Sequence, residues 1–199
     1  MKYKLVAFWL VVFGALFAFL QTRFEYHFYY IEQSQLFLFS EAYIRNKLVL
    51  PGGFSMLVAE FFVQFFIRPY VGALVTAALL TGVGICTAGI VKRIASASGL
   101  FILYVQPMLA LLFMHFDFNY RVQGTVCYLM MTALLCGYIR IRNDLFRLVA
   151  GCVLVPVLFW LAGSIAVLFA GMICLFEGLR KTPKWYISLI GVAEVLLLG

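Results

Sequence analysis

The chain has 199 residues, 65% of them hydrophobic and only 12% charged, with a mean hydropathy of +1.05. Soluble domains carry roughly 45–50% apolar and about 25% charged residues, so a water-soluble core is excluded and the bilayer is expected to be the solvent. The net charge of +7 comes from Lys and Arg in short clusters between apolar runs, the distribution of charges that set membrane topology, and no nucleic-acid partner is expected.

Lys2 and Lys4 precede an apolar run from Leu5 to Leu20. No A-x-A-like cleavage site follows and bulky aromatics crowd its exit, so it reads as an uncleaved first helix with its amino end in the cytoplasm. Residues 22–70 then form an outer segment of a different kind. Between Phe24 and Tyr70 lie Glu25, Glu32, Glu41, Glu60 and His27, set among many aromatic rings. Such a stretch is too apolar for a solvated loop and too charged to cross a bilayer. The physical compromise is a layer in the membrane interface, with rings at headgroup level and polar groups in water. Within it, Ser40 is placed to cap a helix over Glu41 to Lys47. Pro51-Gly52-Gly53 forces a turn, and a second short helix is expected from Phe54 to Ile67, with Glu60 and Gln64 forming a narrow polar line.

Val71 to Val91 is the clearest span, 21 residues without a charge. Its small residues at spacing four (Ala73 and Ala77, Gly84 and Ala88) predict close helix packing, and Lys92-Arg93 close it on the cytoplasmic side. Leu100 to Met114 returns outward, with Pro107 expected to bend it. His115 to Arg121 forms a second outer loop, and Val122 to Ile139 leads back to Arg140-Ile141-Arg142. The 32 residues from Leu148 to Leu179 carry charge only at Glu177 and are followed by Arg180, Lys181 and Lys184. Basic residues at both ends predict a hairpin turning near residues 160–164 rather than one long helix. Trp185 to Gly199 begins a further span and stops while still apolar, which reads as the amino-terminal part of a longer protein. The expected architecture is an all-α, polytopic helix bundle, one transmembrane domain over residues 1–199 with about seven crossings, in a bacterial inner membrane. Cys86, Cys127, Cys136, Cys152 and Cys174 all fall in apolar runs without CxxC spacing and read as small packing residues.

This topology places both histidines, His27 and His115, and the acids Glu25, Glu32, Glu41, Glu60 and Asp117 on the outer face. Carboxylates and imidazoles together are suitable ligands for a divalent cation, magnesium or manganese. Such a cation would offset the phosphate of a lipid-linked substrate. The expected site brings Glu32, His115 and Asp117 together as metal ligands, with Glu32 and Asp117 also catalytic. Arg121, whose planar fork matches phosphate, would bind the substrate with Gln33 and Gln35. The rings of Tyr29, Tyr30, Phe116 and Phe118 are expected to be buried, leaving the polar groups a shared aqueous recess. Ordinary solvated loop acids would read the same way. Glu177 and Glu194 are the remaining candidates for an intramembrane ion pathway, although each lies near a helix end or the chain end. No P-loop, GxSxG, HExxH or dinucleotide fingerprint is present.

Two resemblances follow from these residues. YYIEQSQLFLF (29–39), PGGF (51–54) and EFFVQFF (60–66) resemble the opening of an uncharacterised family of bacterial polytopic membrane proteins, in which a soluble helical region, absent here, follows the helices. The layout of one span, a long interfacial loop and a second acid-bearing loop is similar to the amino-terminal half of GT-C membrane glycosyltransferases. That resemblance implies sugar transfer from a polyprenyl-phosphate carrier, with Glu25 or Glu32 as the first-loop acid and Asp117-Phe118-Asn119 in place of a D-x-D pair. Asn119 departs from that pair. The expected function is therefore a glycosyltransferase-like module of the cell envelope acting on a lipid-linked donor among membrane lipids. A transporter or flippase module and a non-catalytic assembly subunit are the alternatives.

Overall fold

The computed structural model describes residues 2–94, 101–180 and 193. Among these the chain is helical throughout: α1 (Lys2–Arg23), α2 (Glu25–Ser34), α3 (Glu41–Leu48), α4 (Gly53–Val63), α5 (Val71–Ile94), α6 (Phe101–Met114), α7 (Val122–Tyr138), α8 (Asp144–Ala162) and α9 (Ile165–Arg180). Three of these, α1, α5 and α8, are long and apolar enough to cross a membrane, which fits an integral membrane protein. The span expected from Trp185 onward, Glu194 included, lies outside the described residues.

Helix α5 is the axis of one half of the bundle, packing against α1, α6 and α7. Its small residues make this possible: Ala73 and Ala77 are fully buried, and a Cβ on Gly84 would stand 2.7 Å from the Trp9 ring of α1. Side chains of a single carbon or none bring the backbones close, and dispersion then replaces the hydrophobic effect as the source of adhesion inside lipid. The other half is α7 packed on the α8–α9 hairpin, with Leu135, Leu158, Phe169 and Ile173 in its core. The expected hairpin is present, its turn at Gly163-Ser164. Its first arm begins at Asp144, one turn earlier than the apolar run suggested, because the Asn143 side chain caps it by accepting from the backbone N–H groups of Leu145 and Phe146.

The segment between α1 and α5 holds three helices, one more than the minimum of two expected. Ser40 caps α3 as expected, accepting from the Tyr43 N–H at 3.3 Å. Helix α4 is shorter than the predicted Phe54–Ile67: it stops at Val63, and residues 64–70 follow as turns. The Pro51-Gly52-Gly53 turn has a second role that sequence alone did not show. Gly52 lies at φ +78° and its N–H donates to the Trp160 carbonyl at 2.9 Å. A Cβ there would stand 3.2 Å from the Gly163 nitrogen, and Gly163 itself sits at φ +73°. Two turns far apart in sequence thus meet backbone to backbone.

At the opposite end, Glu177 of α9 is fully buried beside Arg147 of α8, with Nε–Oε1 at 2.6 Å and Nη2–Oε2 at 2.9 Å. Tyr138 donates to the same carboxylate at 2.8 Å, and Arg147 also donates to the Ile141 carbonyl and pairs with Asp144. Glu177, a candidate for an ion pathway in the sequence, is thus part of a bidentate lock between the two hairpin arms. Removing one partner strands the other as a buried charge, at a cost of about 3–5 kcal/mol. Arg147→Met and Glu177→Leu are each expected to lower the unfolding midpoint in detergent sharply, and the double variant to recover most of the loss. Additive losses in that double-mutant cycle would argue against a coupled pair. Gly163→Ala, which forces a side chain into a backbone conformation that only glycine favours, is expected to cost about 1–3 kcal/mol, whereas Gly171→Ala, with open space around it, should be close to neutral.

Candidate functional site

Helices α2, α3 and α4 and the start of α7 enclose a polar recess of about 250 Å³ lined by Ser34, Gln35, Tyr43, Lys47, Glu60, Arg121 and Gln123, with Leu36, Met56 and Ala59 as its apolar wall. Each element contributes through its local geometry. Helix α2 ends at Ser34, so Gln35 and Leu36 leave it as a rim. Helix α3 presents Tyr43 and Lys47, one turn apart, to the same side. Glu60 is the one charge in α4 and is buried against them. The Tyr43 hydroxyl donates a short hydrogen bond to Glu60 Oε2, and Lys47 Nζ reaches Oε1 at 3.3 Å while lying over the Tyr43 ring. Burial, together with the adjacent carboxylate, pushes the Tyr43 phenol up to about 12.

Gln123 fixes the remaining wall. Its side-chain amide donates to the Gly52 carbonyl and to Ser55 Oγ, at 3.4 and 3.3 Å. Ser55 in turn donates to the same carbonyl at 2.7 Å and accepts from the Cys127 thiol. Arg121, the residue preceding α7, is exposed at the rim, and among the described residues it meets no carboxylate.

The recess contains only part of the site expected from sequence. Arg121 and Gln35 line it; Glu32, Gln33, His115 and Asp117 do not. Glu32 is half-buried and Gln33 exposed on the last turn of α2. Asp117 accepts from the Asn119 N–H at 2.9 Å, so Asp117-Phe118-Asn119 is an Asx turn that shapes the loop. His115 turns inward, 2% exposed, with Nε2 2.9 Å from Thr125 Oγ1. The three-residue metal group of Glu32, His115 and Asp117 therefore does not form: among the described residues no three His, Cys, Asp or Glu side chains stand where they could hold a metal ion.

The aromatic arrangement also departs from the expectation, with Tyr29 only half-buried. Phe116, Phe118 and Tyr30 are exposed while both histidines are buried. Phe24 stacks on Phe116 at 5.1 Å and His27 meets the Phe118 ring at 4.6 Å. A neutral imidazole packs beneath these rings as one more flat side chain. Burial lowers the pKa of both imidazoles, His115 to about 4, with His27 adding to the effect on His115 and Asp117 partly opposing that on His27.

Sequence reasoning missed Tyr43, Lys47 and Gln123. The signal that pointed toward them was Glu60, a single carboxylate in an otherwise apolar helix, which needs a partner wherever it is buried.

The chain belongs to a family of unknown function (DUF6057), whose sequence model spans residues 1–199. The expectation of an uncharacterised family is thereby met. No curated protein and no solved structure matches the chain.

The buried histidines predict an acid-sensitive end of the molecule. His115 titrates near 6.5 when unfolded and near 4 when folded, so below pH 6.5 the unfolded state binds more protons and stability falls as pH falls. Between pH 7 and 5 this single group is expected to remove about 2 kcal/mol. His115→Gln, which keeps a polar partner for Thr125, should flatten that slope in unfolding curves recorded across the interval. An unchanged slope would show that His115 does not carry it.

Proposed function

We propose that this member of the family is a polytopic membrane protein whose interfacial layer holds, in the recess between α2, α3, α4 and Arg121, the phosphate-bearing headgroup of a lipid-linked molecule. The observation that carries the reading is the charge arrangement of the recess. Lys47 offsets Glu60, leaving the Arg121 guanidinium as the uncompensated charge at the rim. A planar fork of donors at the mouth of a polar recess suits one phosphate. Ser34, Gln35 and Gln123 add hydroxyl and amide groups suited to the hydroxyls of a sugar or glycerol. Leu36 of the recess wall is exposed, as are Leu38 and Phe39, which follow it in sequence, and the three offer an apolar path for the attached hydrocarbon.

Binding is favoured over glycosyl transfer because the recess has one carboxylate, Glu60, and it is engaged by both Tyr43 and Lys47. A general acid or nucleophile needs a carboxylate free to exchange a proton or attack. The two acids that the glycosyltransferase-like layout requires lie elsewhere, and the layout remains an analogy of architecture.

Two experiments test the reading. Native mass spectrometry of the purified full chain with an isoprenoid lipid phosphate is expected to show a bound species that Arg121→Ala weakens about tenfold, the loss of one charge-assisted contact, while Glu32→Gln leaves it unchanged. Equal binding by wild type and Arg121→Ala would sink the proposal. For the membrane arrangement, single cysteines replacing Ser34 and Arg142 in a cysteine-free background should be labelled by an impermeant maleimide from opposite sides of the bilayer. Labelling from one side would rule out the crossing pattern.

A further inference from the structure

A second feature lies at the other end of the bundle and is independent of the recess. Helices α1 and α5 leave between them an apolar groove of about 630 Å³. Its floor is made of small residues of α5, Ala78, Gly82 and Gly89 among them, and its wall is Trp9 and Phe13 of α1. The floor stays open because these glycines serve α7 on their other side: a Cβ on Gly82 would stand 3.2 Å from Leu129, and one on Gly89 2.9 Å from Cys136 Sγ. Helix α5 is thus pinned against α7 by Gly82 and Gly89, and against α1 by Gly84 under Trp9. From Ala78 to Lys92 the groove follows α5 for 14 residues, roughly 21 Å, the scale of an extended acyl chain.

One end of the groove is charged. Lys92 and Arg140 close it, and among the described residues no acid lines it. Among the described residues neither cation meets a carboxylate; Lys92 lies over the Tyr104 ring at 5.7 Å. Lys4, Arg93, Arg142 and Arg180 are also exposed on the same chain ends, while the described acids there, Asp144 and Glu177, are held by Arg147. An apolar slot a chain long with two cations at its mouth has the shape and charge of a single molecule: a hydrocarbon tail ending in an anion. Basic pockets between spans are the recurring form of such sites.

We propose that the α1–α5 groove is a binding site for an anionic phospholipid, its acyl chain along Trp9, Phe13 and Ala78 and its phosphate between Lys92 and Arg140. The full chain in mild detergent, titrated with phosphatidylglycerol and with phosphatidylcholine of the same acyl chains, is expected by native mass spectrometry to retain the anionic lipid about tenfold better. Lys92→Ala combined with Arg140→Ala should abolish the preference. Ile85→Trp, at an exposed position in the groove lining, should reduce retention of both lipids without disturbing the core. Arg121→Ala should leave all of this unchanged, which separates the site from the recess. Equal retention of the two lipids, or a preference that survives the double substitution, would overturn the proposal. So would a lipid-free dimer that Ile85→Trp disrupts, because the groove would then be a contact between two copies.

Discussion

Two turns far apart in sequence, at Gly52 and Gly163, meet backbone to backbone, and much else depends on that contact. The Gly52 N–H and the Trp160 carbonyl would lose each other as partners if the turns separated, and unpaired backbone groups are costly where no water can reach them. Around the pair, Ser55, Gln123 and Cys127 close a small polar knot that ties α4, α7 and the α8–α9 turn together. Helix α4 is therefore clamped to the end of the hairpin, not merely resting on it. Because Gln123 belongs both to the knot and to the recess wall, the position of the recess follows from the same contact.

The Arg147–Glu177 pair is the counterpart at the far end. Both side chains are fully buried, and an isolated charge could not remain so. Tyr138 and the Ile141 carbonyl use further hydrogen-bonding capacity of the two groups. Between these two polar nodes the α7–α9 core is almost entirely apolar, with Leu135, Val155, Leu158, Phe169 and Ile173 filling it. Such packing alone specifies register weakly, since many neighbouring arrangements bury similar surface. A polar node at each end gives the hairpin one register on α7, because sliding by a turn would break both.

The two ends also differ in what they offer a lipid. The end built from α2, α3 and α4 presents rings outward and a recess whose Arg121 meets no carboxylate among the described residues. The other presents Lys92, Arg93, Arg140, Arg142 and Arg180 around helices whose flanks are smooth and apolar. The ligands proposed for them differ accordingly: a headgroup for the recess and a hydrocarbon chain for the groove.

The amino-acid sequence by itself determined the class and most of the elements: the apolar runs, the Ser40 cap, the Pro51-Gly52-Gly53 turn, the close packing through Ala73 and Ala77, and the hairpin implied by basic residues at both its ends. Those features are local, set by hydropathy, capping chemistry and backbone freedom within a few residues. The partners of the polar residues were decided only by the tertiary structure. Lys47 and Glu60 are 13 positions apart and Gln123 lies 71 positions from the carbonyl it meets; their convergence follows from how three short helices dock, which no periodicity records. Glu32, His115 and Asp117 looked like a site because outer loops bring acids and imidazoles to one face. The fold instead used Asp117 to close a turn and His115 to fill a core, since in a chain with so little polar surface a neutral imidazole beneath aromatic rings is a low-cost packing residue.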